Sequence, residues 1–292
     1  MNKKLIGILC AIGAAVCYGT NPLARFLYAE GMNIPSVLFY RFGLAWVIVA
    51  VVMMFRKESL RVDRREFLTL TALGVLFILS STTLYTSFNL MPSGIASTIL
   101  FTYPIMTAAI MTLVFRERLT WLTVLSIALS LVGVALLSFN DDGTTFSLLG
   151  IVLVLISALT YALYIIVVDK SPLQMSSFKI NFYVLFYCAL GNVFYALVSG
   201  QPLMLPPSPA AWFWVSWLAV VPAIMALVMM VYAAKYLGST PTAILGALEP
   251  MTAVLIGVFV FAEPFSLRLS LGIVLILSAV TMVVLSKAKR QA

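Results

Sequence analysis

Long apolar runs separated by short polar breaks dominate this chain. A helix that crosses the hydrocarbon core of a membrane needs about 20 mainly apolar residues. The apolar runs reach this length ten times and predict ten membrane-spanning helices, numbered here as spans 1 to 10: 5–27, 35–55, 67–89, 93–115, 120–139, 147–169, 178–199, 212–236, 240–261 and 267–286. Gly, Pro, Asn or charged residues mark the breaks, and several breaks are so short that consecutive helices must be antiparallel neighbours.

Composition supports a polytopic membrane protein. Of the 292 residues, 63% are hydrophobic and 10% are charged, and the mean hydropathy is +1.10. Soluble domains average about 45–50% apolar and about 25% charged residues. The chain contains no His and no phosphate-binding loop motif, and its three cysteines lie inside apolar runs. We therefore expect no cofactor, no metal site and no enzymatic activity.

The distribution of the basic residues predicts an orientation. If the breaks alternate between the two sides of the membrane, 15 of the 18 Lys and Arg residues fall on the side of the N-terminus. Positive charge concentrates on the cytoplasmic side of membrane proteins. Both termini are therefore expected in the cytoplasm. The basic residues form no stripe interleaved with aromatic residues, which argues against nucleic-acid binding.

The two halves of the chain resemble each other. An offset of 146 residues aligns Pro104 with Pro250 and Glu117 with Glu263. The predicted domains are residues 1–139 and 147–287 with five helices each, an extracytoplasmic linker over 140–146 and a cytoplasmic tail over 288–292. An odd number of helices makes the second copy enter the membrane from the opposite side, so the repeat would be inverted. Inverted repeats are typical of secondary transporters that work by alternating access.

The chain resembles the EamA-domain branch of the drug/metabolite transporter superfamily. The resemblance covers the whole chain and rests on the two matching stretches, Tyr103-Pro104 to Glu117 and Glu249-Pro250 to Glu263, and on Arg41 in the second helix. It implies export of small metabolites across a bacterial inner membrane, through a cavity lined by spans 1, 3, 4, 6, 8 and 9. Within the family, the chain is most similar to aromatic amino-acid exporters.

Glu249 is the strongest candidate for a residue with a role in transport. Polar groups inside a membrane are costly unless they face a cavity or a partner. Glu249 lies near the middle of span 9, directly before Pro250, which removes a backbone donor and predicts a helix break; Pro104 is its counterpart in span 4. Glu249 could exchange a proton, bind an ammonium group, or be a structural residue paired with an arginine.

Several other polar residues complete the candidate site. Those expected to line the substrate cavity, with packing as the alternative for each, are Tyr18, Asn21, Tyr103, Tyr161, Tyr164 and Glu249. Tyr85 and Tyr232, near the ends of spans 3 and 8, are candidate gates at opposite faces. Arg41 is a candidate charge partner that could neutralise Glu249, bind a substrate carboxylate or extend to the lipid headgroups.

The sequence therefore predicts a carrier that exports aromatic or other apolar amino acids, or related amphipathic metabolites, and that contacts the lipid bilayer. The alternative is an exporter of drugs or amines that uses Glu249 for proton antiport. An intramembrane enzyme would need a nucleophile with a base, or a metal site, and the spans contain no such set. The oligomeric state is left open by the sequence, and a monomer is compatible with it.

Overall fold

The computed structural model of the chain describes residues 3–88, 90, 96, 99–116, 121–138, 147–171, 173, 175–246, 248–261, 267, 270–272, 274–275, 277–279 and 282. This part of the chain is helical and contains no strand. Its helices are α1 (Lys3–Tyr18), α2 (Arg25–Ala29), α3 (Ile34–Phe55), α4 (Arg64–Ser87), α5 (Tyr103–Leu113), α6 (Trp121–Ser138), α7 (Leu148–Lys170), α8 (Ser177–Ser199), α9 (Pro209–Leu218), α10 (Ala226–Leu237), α11 (Ser239–Leu245) and α12 (Leu248–Phe261).

Seven helical segments of the described chain are long and apolar enough to cross a membrane. They coincide with predicted spans 1, 2, 3, 6, 7, 8 and 9: Lys3–Ala29, Ile34–Phe55, Arg64–Ser87, Leu148–Lys170, Ser177–Ser199, Pro209–Leu237 and Ser239–Phe261. Shorter apolar helices lie within predicted spans 4, 5 and 10, at Tyr103–Leu113, Val124–Gly133 and Ser270–Ala279. The count of ten spans and the inverted repeat stay predictions, and the predicted linker over 140–146 and tail over 288–292 lie outside the described residues.

Local side-chain caps explain where several helices begin. Asp63 and Glu66 form a reciprocal capping box at the start of α4, with Asp63 Oδ1 accepting from the Glu66 N–H at 2.7 Å. This box starts α4 three residues before the predicted span. Ser176 and Ser208 cap α8 and α9 through their hydroxyl oxygens, and Gly200 ends α8 in the left-handed conformation with φ of 65°.

Three predicted spans are interrupted. Span 1 leaves the α-helix after Tyr18 and continues as a 3₁₀ turn over Asn21–Ala24 before α2. Span 8 contains a π-helical segment, Ala219–Met225, around Pro222. Span 9 consists of α11 and α12, which are separated at Gly246. Interruptions of this kind in a membrane are tolerated where the backbone is buried in protein or lines a cavity.

Long helix pairs build the core. The most extensive contacts join α4 to α7, α3 to α8, and α1 to α10. Glycines allow close approach of α1 to α10 and of α8 to α4: a Cβ on Gly7 would lie 2.8 Å from Leu237 Cγ, and a Cβ on Gly191 would lie 2.8 Å from Ile78 Cγ1. Large apolar side chains such as Leu197 and Phe259 are exposed on the outside of the bundle, as expected for a surface that faces lipid.

Candidate functional site

Two of the helix interruptions meet inside the bundle. A Cβ on Gly19, in the interruption of span 1, would collide with Thr252 and would lie 2.7 Å from the backbone oxygen of Glu249. The Glu249 N–H donates to Gly246 O at 2.9 Å, which places Glu249 in the first turn of α12. The absence of a side chain at Gly19 therefore lets the broken parts of spans 1 and 9 touch beside Glu249.

Four tyrosines of the predicted cavity form one aromatic cluster. Tyr161 is at its centre: its ring centroid lies 4.9 Å from that of Tyr103 and 6.3 Å from those of Tyr18 and Tyr164. Phe77 of α4 closes one side, 5.2 Å from Tyr164. All five rings are buried. We call these residues the tyrosine cluster: Tyr18, Phe77, Tyr103, Tyr161 and Tyr164.

The hydroxyl groups of this cluster are unsatisfied. Among the described residues, the buried hydroxyls of Tyr18, Tyr103, Tyr161 and Tyr164 have no hydrogen-bond partner. A buried hydroxyl without a partner costs about 1–3 kcal/mol. Hydroxyls of this kind can form hydrogen bonds with polar groups of a bound molecule or with water.

Arg41 is buried and held by two different elements. Its Nη1 donates to Tyr85 Oη at 2.6 Å, and its Nη2 donates to the backbone oxygen of Pro222 at 3.4 Å. Tyr85 Oη in turn donates to Asn21 Oδ1 at 3.3 Å, in the interruption of span 1. Arg41 Nε has no partner in the described part of the chain. The side chain therefore lies inside the bundle and does not extend to the lipid headgroups.

Glu249 is partly buried inside the bundle. It is surrounded by protein but only half-buried, so part of its surface is accessible. In the described part of the chain, its carboxylate makes no ion pair within 4.0 Å. The backbone oxygen of Glu249 lies against Gly19, the neighbour of Tyr18, and Gly246 at the start of the same turn lies against the Tyr103 hydroxyl. Glu249 thus lies next to the tyrosine cluster and has no contacting cation among the described residues.

The structure brings most of the predicted site residues together. Tyr18, Tyr103, Tyr161, Tyr164 and Glu249 lie at the tyrosine cluster. Asn21 accepts from Tyr85 and so belongs to the Arg41 network. Both prolines are buried in the first turn of a helix, Pro104 in α5 and Pro250 in α12. Proline is tolerated there because the N–H that it lacks would have no partner within the helix.

The two candidate gates are placed differently from each other. Tyr85 is 2% exposed and belongs to the Arg41 hydrogen-bond network. Tyr232 lies apart from the cluster on α10, where its ring packs 5.8 Å from Tyr236. The structure thus joins only Tyr85 to the central polar groups.

Two contributors to the site were not among the predicted residues. Phe77 is an apolar residue in an apolar helix, so no sequence signal distinguishes it from its neighbours. Pro222 lies in the middle of span 8, and a proline at that depth is a signal of irregular backbone. That signal could have identified the carbonyl group that accepts from Arg41.

The donor set of the described residues does not resemble a metal centre. No group of three or more His, Cys, Asp or Glu side chains lies together in this part of the chain. What the site offers is an aromatic surface, unpartnered hydroxyls, one carboxyl group and one guanidinium group. These groups are suited to hold an amphipathic solute without a covalent step.

Comparisons with known proteins agree with this description. The model of the EamA-like transporter family matches the chain twice, over residues 5–139 and 148–285. An uncharacterized transporter of Archaeoglobus fulgidus is 28% identical over 267 residues, which cover 91% of this chain and 92% of the relative. An uncharacterized transporter of Synechocystis sp. is 27% identical over 200 residues, 58% of this chain and 60% of the relative.

A solved crystal structure has the same fold. It superposes with a TM-score of 0.77 over 99% of both chains, at 18% sequence identity. Since the family model covers nearly the whole chain in two matches, the family assignment does not depend on this likeness. The chain belongs to the EamA-like transporter family, within the drug/metabolite transporter superfamily.

Proposed function

We propose that this protein exports small metabolites, with aromatic and other apolar amino acids as preferred cargo, by alternating access across a bacterial inner membrane. The observation that carries the proposal is the tyrosine cluster next to Glu249, whose carboxyl group has no ion-pair partner among the described residues. Aromatic rings offer an apolar surface to a hydrophobic side chain. The unpartnered hydroxyls and the carboxyl group offer contacts to its polar end.

The helix packing supports an inverted repeat of spans 1–5 and 6–10. If the two halves are equivalent, spans 1, 2 and 3 correspond to spans 6, 7 and 8. The contact of span 3 with span 6 (α4 with α7) then corresponds to the contact of span 8 with span 1 (α10 with α1). The same correspondence maps the contact of α3 with α8 onto itself. The double match of the family model has the same division. Two related bundles of opposite orientation can open a central site to either face in turn.

The interruptions of spans 1, 8 and 9 support the location of the substrate site. In many transporters, discontinuous helices at the middle of the membrane place helix ends and free carbonyl groups at the substrate. Here the interruptions supply Asn21, the Pro222 carbonyl group and Glu249, all within the network around Arg41 and the tyrosine cluster. In the proposed orientation, both termini are cytoplasmic and the substrate leaves toward the opposite side.

Counterflow in proteoliposomes tests the function. Vesicles that contain the purified protein are preloaded with unlabelled phenylalanine and given trace labelled phenylalanine outside. Transient accumulation of label is the expected result. A Tyr161→Ala variant should lose most of this accumulation, whereas Tyr40→Ala should keep it. Tyr40 is a tyrosine outside the cluster, whose ring packs 5.7 Å from Trp212.

The outcome against the proposal is an absence of accumulation in vesicles that hold folded protein. A panel of amines and drug-like cations then tests the alternative, an exporter coupled to proton antiport through Glu249. The unpaired Glu249 carboxyl group favours this alternative because it could bind either a proton or an amine. In that case a Glu249→Gln variant should bind the amine but lose transport driven by a pH gradient.

A further inference from the structure

The hydrogen bonds of Arg41 leave one part of its guanidinium group free. Tyr85 Oη accepts from Nη1, and the Pro222 carbonyl group accepts from Nη2. These two partners come from α4 and from the π-helical segment of span 8, so they hold the group from both halves of the chain. Nε is buried and has no partner among the described residues. The Arg41 Nε–H is therefore a charged donor that is held in place but has no acceptor in the described structure.

Glu249 carries the opposite charge, and it also has no ion-pair partner among the described residues. The two groups interact electrostatically, but they do not form an ion pair within 4.0 Å in the described structure. The backbone oxygen of Glu249 lies against Gly19, directly after Tyr18 in the interruption of span 1. Two residues further along the same interruption, Asn21 accepts from the Tyr85 hydroxyl, which in turn accepts from Arg41. The interruption of span 1 therefore lies between the two charged residues.

Among the described residues, neither Arg41 nor Glu249 has an ion-pair partner, and two such separated charges are costly inside a protein. Direct contact between them would remove part of this cost, and the hydrogen bonds of Arg41 to Tyr85 and Pro222 direct its side chain elsewhere. A solute that carries a carboxylate and an ammonium group can satisfy both charges at once. A solute with only one charge leaves either Arg41 or Glu249 without a partner.

We propose that the site binds its substrate as a zwitterion, with the substrate carboxylate on Arg41 Nε and the substrate ammonium on Glu249. This inference rests on the proposed transport function and specifies how that site selects its cargo. Arg41 is then the residue that distinguishes an amino acid from the corresponding amine. Tyr85 and Pro222 are positioning residues, because they determine which nitrogen of Arg41 is presented to the substrate.

The position of Tyr18 gives the zwitterion a place between the two charges. Its ring lies 6.3 Å from that of Tyr161 in an edge-to-face arrangement, and its hydroxyl has no partner in the described part of the chain. An ammonium group beside Glu249 would also face the electron-rich rings of the cluster, which attract cations. The carboxylate would point away from these rings, toward Arg41.

Competition binding to the purified protein in detergent tests the proposal. Labelled phenylalanine is displaced by unlabelled phenylalanine, by phenethylamine, which lacks the carboxylate, or by 3-phenylpropanoate, which lacks the ammonium group. We expect each single-charge analogue to bind at least about tenfold more weakly than phenylalanine, because a charged hydrogen-bonding group of the site stays unpaired. This comparison uses the wild-type protein, so it does not depend on the folding of a variant.

Two variants assign the charges. Arg41→Gln should weaken phenylalanine binding about tenfold and leave phenethylamine binding nearly unchanged. Glu249→Gln should weaken phenylalanine binding similarly and leave 3-phenylpropanoate binding nearly unchanged. Arg56→Gln is the matched control, because Arg56 lies outside the site and pairs with Glu58 at 3.0 Å.

The outcomes separate this inference from the proposed function. If phenethylamine displaces the label as well as phenylalanine does, while phenylalanine counterflow is intact, the zwitterion inference is wrong and the carrier function stands. If Arg41→Gln weakens the binding of phenylalanine and of phenethylamine equally, Arg41 does not bind the substrate carboxylate. If folded wild-type protein neither binds phenylalanine nor shows counterflow, the proposed cargo and this inference fail together.

Discussion

The hydroxyl group of Tyr103 lies directly against the Cα of Gly246, at the point where α11 ends and the chain turns into α12. A Cβ on Gly246 would overlap this hydroxyl and would lie 3.0 Å from the backbone oxygen of Ala243. Tyr103 is fully buried. The absence of a side chain at Gly246 thus leaves room for the Tyr103 hydroxyl and fixes the position of this ring in the tyrosine cluster.

A Gly246→Ala substitution should therefore weaken substrate binding and also lower the stability of the protein. The added methyl group overlaps the buried Tyr103 hydroxyl and forces the ring to move, and overpacking of this kind costs about 1–3 kcal/mol. We expect a rise in the KM for phenylalanine counterflow and a normal elution profile of the purified variant.

Gly43→Ala is the control for this substitution. Gly43 lies within α3, and a Cβ at this position meets no atom within 4 Å. Alanine is favoured over glycine in a helix by about 1 kcal/mol, so this variant should be as stable as the wild type or more stable. An unchanged KM for Gly246→Ala would show that the Tyr103 ring does not line the binding site.

Tyr85→Phe should destabilise the protein. The substitution removes the acceptor for Arg41 Nη1 and the donor to Asn21 at once. Leaving a buried donor without its partner costs about 1–3 kcal/mol, more when the group is charged. The measurement is the thermal unfolding temperature of the purified protein in detergent.

Tyr195→Phe provides the comparison for Tyr85→Phe. The Tyr195 hydroxyl lies 3.0 Å from Thr86 Oγ1 in a partly buried position, and both groups are neutral. Loss of such a bond costs about 0.5–1.5 kcal/mol. Equal effects of the two substitutions would argue against a special role of the Arg41 network.

Gly191→Ala should disturb the packing of α8 on α4. A Cβ on Gly191 would lie 2.8 Å from Ile78 Cγ1 and 3.1 Å from Ile78 Cδ1. Overpacking of this kind costs about 1–3 kcal/mol. We expect a lower thermal unfolding temperature in detergent.

The contact with Ile78 can be tested by a double substitution. Ile78→Ala removes both atoms that the new methyl group would meet, so Gly191→Ala/Ile78→Ala should lose less stability than the sum of the two single variants. Strictly additive losses would show that the two residues are not coupled through this contact.

Asp63→Ala should weaken the start of α4. The substitution removes the side chain that accepts from the Glu66 N–H and breaks the capping box. Loss of such a cap costs about 1 kcal/mol. The expected result is a small decrease in thermal stability with unchanged counterflow, because α4 begins far from the tyrosine cluster.

Thr69→Ala serves as the control for the cap. Thr69 is a partly exposed residue of the same helix, and its hydroxyl donates to the Arg65 carbonyl within the helix. Its replacement should have little effect on stability. A similar loss in both variants would mean that the capping box contributes nothing specific.

The sequence by itself determined the helices and the kinds of residue that form the site. Helix positions follow from the length of each apolar run, which is a local property of the chain. Polar residues inside such runs are costly, and this identified Arg41, Glu249 and the buried tyrosines as candidates. Pro250 marked the interruption of span 9 that the structure contains.

Only the tertiary structure decided which of these residues meet. Most spans are apolar around their whole circumference, so periodicity does not show which face points inward. Tyr85 contacts Arg41, and Tyr103 approaches Gly246, although the partners are distant in the chain. Tyr232, the other candidate gate, packs against Tyr236 instead. Such contacts depend on how helices pack against each other. In this protein, glycines allow close helix approach, and Pro222 lies in the irregular backbone of span 8.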